Sequence, residues 1–226
     1  MEMENLASIA GLIGEPARIK MLWALMDGKA YTATELSIVA GVSPQSASMH
    51  LGKMVLADLL KVSNQGRHRY FSYARAEVAY AIEALSNLAP HQKKIIVPVT
   101  KAVPFEYCRT CYDHIAGRAG VLINERLIAM EYLAAHGKGY DMTNKGESFF
   151  KEFGIDTTGL LKQKRPFARP CLDWSERRPH LAGSLAKSIL NKMIAEDWMR
   201  KIKDSRTLLI TSKGQSNLYD LLGVKI

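Results

Sequence analysis

The sequence predicts a mainly α protein with small β-hairpins, and three observations predict it. From Thr34 to Tyr73 the chain reads as a helix, a tight turn, a second helix with a polar outer face, and a basic hairpin. Elsewhere apolar residues recur at the three- and four-residue spacing of amphipathic helices. From about Pro104 onward the sequence repeats itself at a nearly constant interval. The first observation is the layout of a winged helix-turn-helix, in which one helix enters a DNA major groove and a charged wing lies on the backbone beside it. The last predicts a C-terminal tandem of helix and strand units resembling winged-helix halves. The expected organisation is a winged helix-turn-helix domain over 1–90, a linker over 91–103, and a duplicated sensing or dimer-support domain over 104–226, with copies at about 108–155 and 171–226.

At 226 residues the chain can bury a good core and suits one large or two modest domains. Lys plus Arg number 31 against 22 for Asp plus Glu, a net charge of +9. Such an excess favours a polyanionic partner, because each neutralised phosphate releases counterions. An ordinary basic enzyme has the same balance, so charge alone does not decide. No run of about 18 apolar residues occurs, and no membrane partner is expected. The opening residues MEMENLASIAGLIGEPARIK are acidic at the start and too weakly apolar for a signal peptide. Three cysteines, an odd number, argue for a reducing compartment rather than a disulfide scaffold. The expected location is the cytoplasm.

Leu6, Ile9, Ala10 and Ile13 recur at helical spacing and define a first amphipathic helix. Gly14-Glu15-Pro16 breaks and restarts the chain, and Pro16 suits a first helical turn, where no N–H is needed. Ile19, Leu22, Trp23, Leu25 and Met26 give the second helix a broad apolar face, stopped at Asp27-Gly28. Thr34 is expected to cap a short helix through Val39, with Gly41 in a left-handed C-terminal position.

Val42-Ser43-Pro44 opens the next helix, Ser43 as its cap and Pro44 in its first turn. From there to about Leu56, Ala47, Leu51, Met54 and Val55 form an inward stripe, while Gln45, Ser46, Ser48, Met49, Gly52 and Lys53 lie mostly on the other side. A solvated helix usually fills its polar face with Lys and Glu. Here small hydroxyl and amide side chains gather near the N-terminus, which suits close approach to base edges and phosphates. Leu59-Leu60-Lys61-Val62 and Tyr70-Phe71-Ser72-Tyr73 then predict paired strands around a Ser63-Asn64-Gln65-Gly66 turn. Arg67, His68 and Arg69 project from this hairpin. A solvated loop is the plain reading of three basic residues, but directly after a helix-turn-helix a DNA-contacting wing is favoured. Residues 76–88 form a further helix, which Pro90 ends.

Three blocks carry a family resemblance: Gly14-Glu15-Pro16-Ala17-Arg18-Ile19 with Leu22 and Leu25 behind it, Val42-Ser43-Pro44-Gln45-Ser46-Ala47-Ser48-Met49-His50-Leu51, and Gly66-Arg67-His68-Arg69-Tyr70-Phe71. Across residues 5–88 the chain resembles the ArsR family of dimeric winged-helix repressors. The resemblance implies a homodimer built on the first and fifth helices, an inverted-repeat operator in double-stranded DNA, and release by an effector. By position it places Pro44, Gln45, Ser46, Ser48 and Met49 at the major groove. With Ser43, His50 and Lys53 on the same helix and Arg67, His68 and Arg69 on the wing, these are the candidate DNA contacts. His50 has two open readings, a groove contact or a hydrogen-bonded core histidine under the helix. The sequence departs from the family's metal sensors. Where they carry Glu-Leu-Cys-x-Cys, this chain has Glu35-Leu36-Ser37-Ile38-Val39, and residues 76–91 offer only Glu77, Glu83 and His91 instead of an Asp, His, His, Glu set.

The C-terminal part contains a visible duplication. His114-Ile115-Ala116-Gly117 recurs as His180-Leu181-Ala182-Gly183, and Tyr132-Leu133 is echoed by Trp198-Met199. Met142-Thr143-Asn144-Lys145-Gly146 returns as Ile210-Thr211-Ser212-Lys213-Gly214, and Phe149 to Ile155 as Leu218 to Val224, at offsets of 66 to 69 residues. Each copy predicts a long helix, a short strand-like segment and a capped helix starting near the Thr-x-x-Gly. Neither copy could bury its apolar face alone, so the two are expected to pack about a local twofold. The basic, Pro-punctuated stretch Lys162 to Pro170 between them is open to two readings, a DNA phosphate contact or a solvated linker.

Copy one begins Cys108-Arg109-Thr110-Cys111-Tyr112-Asp113-His114, and copy two has Cys171-Leu172-Asp173 with His180 further on. The duplication thus aligns Cys111 with Cys171, Asp113 with Asp173, and His114 with His180. Cys108, Cys111, His114, Cys171 and His180 are the candidate metal or effector residues, since thiolate and imidazole select zinc or another thiophilic divalent metal. Three further readings stand beside this one. Arg109 and a nearby His could lower a thiol pKa and favour a reversible disulfide. The cysteines could simply pack as small apolar groups at two helix starts, a small organic ligand could lie between the copies, and the His-x-Ala-Gly pairs read as close helix packing rather than chemistry.

The function these features suggest is sequence-specific transcriptional regulation, most simply as a homodimeric repressor released by a heavy metal, thiol redox or a small molecule. A non-specific architectural DNA binder is the alternative. An enzyme using Cys111 as nucleophile with His114 is disfavoured, because no oxyanion or cofactor motif accompanies the pair.

Overall fold

A computed structural model describes residues 2–88, 104–203 and 205–225, and its contacts divide the chain into one unit ending at Leu88 and a second beginning at Ala89. The expected linker and the stop at Pro90 lie outside the described residues.

The N-terminal unit runs α1 (Glu2–Ile13), α2 (Pro16–Ala24), a single 3-10 turn, β1 (Tyr31–Thr32), α3 (Ala33–Ala40), α4 (Pro44–Leu56), β2 (Leu60–Gln65), β3 (His68–Tyr73) and α5 (Ala76–Leu88). The Gly14 to Ile19 block acquires a physical reason. Glu15 caps α2 by accepting from the Arg18 backbone N–H at 2.9 Å, and the buried Arg18 side chain reaches back to the Leu12 and Gly11 carbonyls at 2.5 and 3.1 Å. One arginine thereby satisfies acceptors that the end of α1 leaves without helical partners. Met21, Leu22, Leu25, Leu36, Ala47, Leu51 and Met54 are fully buried and form the core under α4.

Two local expectations are corrected. The cap of α3 is Thr32 rather than Thr34. The Thr32 hydroxyl accepts from Glu35 N at 3.3 Å and the Glu35 carboxylate accepts from Thr32 N at 2.7 Å, a reciprocal box that satisfies two donors together. The hairpin turn is also tighter than expected. Strand pairing continues through Ser63↔Tyr70 and Asn64↔Arg69 to Gln65↔His68, which leaves only Gly66 and Arg67 in the turn. Gly66 has φ of 58°, the left-handed conformation that a two-residue hairpin loop requires. β1 pairs with the outer side of β3, so the sheet order is β1-β3-β2.

The C-terminal unit runs α6 (Pro104–Tyr107), β4 (Arg109–Cys111), β5 (His114–Ala116), α7 (Gly117–Ala129), β6 (Leu133–His136), β7 (Gly139–Met142), α8 (Asn144–Glu152), α9 (Thr157–Leu161), β8 (Arg169–Leu172), β9 (Pro179–Ala182), α10 (Ser184–Ala195), β10 (Met199–Lys201), β11 (Leu208–Ile210) and α11 (Ser212–Leu222). Each copy is therefore hairpin, helix, hairpin, helix. The leading hairpin of each copy was not anticipated, because three- and four-residue strands are too short to show a period of two.

The repeated signatures mark backbone crossings. Thr143 and Thr211 cap α8 and α11 by accepting from Gly146 N and Gly214 N at 2.9 and 3.0 Å. A Cβ on Gly146 would strike the Tyr132 carbonyl, and one on Gly214 the Trp198 carbonyl. The Thr-x-x-Gly and the aromatic residue upstream are thus two sides of one close contact. Gly117 and Gly183 open α7 and α10 at positive φ against the Glu106–Tyr107 and Pro166–Phe167 carbonyls.

The copies interlock reciprocally. Near the first hairpin of copy one, Thr110 N donates to Arg206 O at 2.8 Å and Leu208 N to Cys108 O at 3.0 Å; in copy one's second hairpin, Tyr140 N donates to Ala168 O at 3.0 Å. One core spans both copies, with Leu127, Leu133 and Phe150 from the first and Leu185, Met199 and Leu218 from the second. The middle of the stretch from Lys162 to Pro170 joins this packing, whereas Lys162, Gln163, Lys164, Arg169 and Pro170 are exposed. Ala168 is buried, and the Pro166 and Phe167 carbonyls accept from Ser184 N and Leu185 N.

Candidate nucleic-acid interface and a Cys/His cluster

The α3–α4 turn presents α4 with its N-terminus outward. Ser43 caps it by accepting from Ser46 N at 3.2 Å, and Pro44 occupies the first turn. Ala47, Leu51 and Met54 take the buried stripe, which leaves Ser43, Pro44, Gln45, Ser48, Met49 and Lys53 exposed and Ser46 half-buried. Met49, at 54% exposure, is an apolar side chain held in solvent on the polar face. Arg67, His68 and Arg69 are exposed at the tip of the β2–β3 wing, with the Arg69 guanidinium 5.7 Å from the Phe71 ring.

His50 is largely enclosed and has two polar neighbours on α2 and its cap. Its Nδ1 lies 3.3 Å from Arg18 Nη1 and 3.4 Å from Glu15 Oε2, and only 12% of its side chain is exposed. It ties α4 to the start of α2, unlike the exposed Gln45, Ser48 and Met49.

In the C-terminal unit the sequence-predicted thiols and imidazoles separate into four that meet and one that does not. Cys111 faces His114 across β4–β5, and Cys171 faces His180 across β8–β9. One potential ligand atom from each of the four lies within 4.8 Å of the others. The His114 and His180 Nε2 atoms are 3.1 Å apart, so these histidines are not plain helix packing. Only the Ala-Gly part of each His-x-Ala-Gly serves a close helix start. Cys108 is the exception. It is 1% exposed in the apolar core, and burial pushes its thiol up to about 12 against the pull of Arg109. No disulfide joins the three cysteines.

A carboxylate stands behind each imidazole. His180 Nδ1 is 3.1 Å from Asp173 Oδ2, and His114 Nδ1 is 3.4 Å from Asp113 Oδ1. Arg109 Nη2 donates to both Asp173 oxygens at 3.0 and 3.1 Å, and Arg165 donates to Asp113 at 2.7 and 3.3 Å. The charge of Arg109 is thus matched by Asp173, and that of Arg165 by Asp113. Asp173 also accepts from Gly117 N, Ser175 N and Ser175 Oγ. Burial opposes its ionisation, yet His180, Arg109 and Ser175 hold the carboxyl far below its usual range. Burial likewise disfavours the His180 cation, but its bonds to Asp173 and Cys171 raise its pKa above the ordinary imidazole value. The Cys171 thiol is held well below the thiol range, first by its hydrogen bond with Cys111, then against burial by His114 and His180.

A family model described as a helix-turn-helix domain matches residues 13–63. A relative from Bacillus subtilis strain 168, described as the uncharacterized HTH-type transcriptional regulator YdfF, is 38% identical over 223 residues, spanning 98% of this chain and 99% of its own length. The chain belongs to the helix-turn-helix transcriptional regulators. Its three-stranded sheet β1-β3-β2 supplies the wing that accompanies such a helix-turn-helix. Solved structures similar to it include HlyU from Vibrio cholerae N16961 (21% identity, 38% of this chain and 94% of that one, TM-score 0.36), the transcriptional repressor BigR from Xylella fastidiosa (17%, 40% and 91%, 0.37) and the transcriptional repressor PagR of Bacillus anthracis (28%, 38% and 97%, 0.34).

Sequence reasoning did not assign this regulator's two arginine–carboxylate anchors. Asp113 and Asp173 occupy matching repeat positions, and that correspondence was the available signal. Arg109 and Arg165 have no such correspondence, since one lies on the first strand of copy one and the other in the stretch between the copies. Among the described residues no helix is long and apolar enough to cross a membrane.

Proposed function

We propose that this regulator is a cytoplasmic homodimeric repressor that binds an inverted-repeat operator and leaves it when an effector occupies the duplicated unit. The exposed N-terminal face of α4 carries the reading, with Gln45, Ser48 and Met49 in solvent above a fully buried Ala47, Leu51 and Met54. A merely solvated helix has no need of that amide, hydroxyl and thioether grouping beside a basic wing, whereas base edges and phosphates do. The dimer is supported by exposed apolar side chains on the two helices the resemblance names, Leu6 on α1 and Leu85 and Leu88 on α5. The effector binds preferentially the conformation whose two α4 helices no longer match successive grooves, and shifts the population by that difference in affinity.

Footprinting followed by a salt-series binding titration on the protected fragment tests this. Gln45→Ala and Ser48→Ala should each lose about 1–3 kcal/mol of discrimination against non-operator DNA, and Arg67→Ala or Arg69→Ala should each lower the salt slope by about 1. Uniform coating of DNA without a protected palindrome would favour the architectural alternative, and unchanged affinity in all four variants would remove α4 and the wing from the interface.

A further inference from the structure

The two leading hairpins bring the same pair of side chains to one place from two copies of one motif. Both rings are turned the same way. Asp113 and Asp173 are each paired to an arginine, at 2.7 and 3.0 Å, so both carboxylates are ionised and can only accept. Each Nδ1 therefore points at a carboxylate that can only accept, which turns the two Nε2 atoms toward each other at 3.1 Å. Two ring nitrogens at that distance need a positive charge between them, which a shared proton supplies in the metal-free site and a metal ion supplies on binding. Two thiol sulfurs complete the group, with all four donors within 4.8 Å. A tetrahedral ion with bonds of about 2.0–2.3 Å needs its donors about 3.3–3.8 Å apart, so small side-chain adjustments close the set.

We propose that Cys111, His114, Cys171 and His180 bind one thiophilic divalent ion of the zinc class, two donors from each copy. Two thiolates balance the ion's charge, and any proton still held within the donor set leaves to solvent on binding. The two-sulfur, two-nitrogen set selects zinc, cadmium or cobalt over magnesium and calcium, which require oxygen. The carboxylates behind both imidazoles orient the rings and raise their basicity, as outer-shell partners of metal-bound histidines do. The ion joins β4–β5 of copy one to β8–β9 of copy two, a cross-link between segments far apart in sequence. This inference deepens the effector part of the reading above and rests on it only for the consequence at the operator. The binding itself is tested without DNA.

The test uses the full chain, stripped with chelator under reductant and titrated with Co(II) as a visible probe. One ion per chain is expected, with the intense visible absorption of tetrahedral cobalt, a near-ultraviolet thiolate charge-transfer band, and displacement by Zn(II). Cys171→Ser should remove about half of the charge-transfer band, whereas Cys108→Ala should leave stoichiometry and spectrum unchanged. Asp113→Asn, which alters no donor, should weaken cobalt binding about 10- to 100-fold with the band intact. Should Cys171→Ser not fold, thiol titration of the wild-type chain decides: zinc should protect two thiols from modification. No tetrahedral spectrum in the wild-type chain, a spectrum undiminished by Cys171→Ser, or two thiols that remain unprotected under zinc would overturn the site. Either result leaves the Gln45 and Ser48 titrations untouched, so failure of one reading is distinguishable from failure of the other.

Discussion

Arg109 and Asp173, one from each repeat, form an ion pair in which neither side chain has any solvent exposure. The Arg109 guanidinium also lies 4.5 Å from the Trp174 ring and 5.4 Å from Phe105. Such a pair costs desolvation to form, so its net worth is small, but removing one partner strands the other. Asp173→Asn should therefore destabilise the C-terminal unit by about 3–5 kcal/mol, and Arg109→Met combined with it should cost less than the two single changes summed. Urea unfolding followed through Trp174 and Trp198 measures both, and a loss below about 1 kcal/mol for Asp173→Asn contradicts the burial.

The backbone crossings of the repeat predict a sharp contrast among glycines. Gly146→Ala and Gly214→Ala place a methyl against a carbonyl that the chain cannot move without opening the adjoining hairpin. Each should cost more than about 2 kcal/mol. Gly52→Ala, in the exposed middle of α4 with open space around it, should stabilise the N-terminal unit by about 0.5–1 kcal/mol. Thermal unfolding of the three variants checks the ordering.

The cap of α3 gives a prediction confined to two neighbouring threonines. Thr32→Ala breaks both bonds of the box with Glu35 and should cost about 1 kcal/mol, whereas Thr34→Ala should be close to neutral. Equal effects of the two in chemical denaturation would return the cap to Thr34.

Cys108 supplies the pH dependence. Burial raises its folded pKa to about 12 from an ordinary value of 9.0. A raised acid pKa means that the folded chain keeps a proton the unfolded chain has released, so this contribution is intact below about pH 9 and lost as pH rises toward 12. In chelator at pH 8, alkylation should modify Cys111 and Cys171 well before Cys108, with Cys108 reacting only at the rate of unfolding. Peptide mapping after a timed pulse distinguishes the three, and equal early labelling would contradict the assignment.

Much of this architecture was legible in the chain. The α1, α2, α4 and α5 segments carry apolar residues at helical spacing, and the Ser43-Pro44 start of α4 follows from local donor bookkeeping. The duplication was visible for a related reason, since Gly146 and Gly214 meet a carbonyl that leaves no room for a Cβ, and Thr143 and Thr211 supply the short oxygen-bearing side chain that a cap needs. Such requirements are local or identical in both copies, and sequence records them directly.

What the order of residues did not determine is which polar groups find each other across the fold. The side of α4 that His50 takes depends on Glu15 and Arg18, more than 30 residues away in sequence. Cys108 and Cys111 look alike in the chain, yet one lies in the apolar core and the other at a strand end beside two imidazoles. Arg109 and Arg165 match carboxylates 64 and 52 residues away, pairings that no local spacing encodes. Local propensity and periodicity act over a few residues and were readable from the sequence alone; the partner of a buried charge or thiol is chosen by the packed core that excludes water around it, and only the assembled tertiary structure makes that choice.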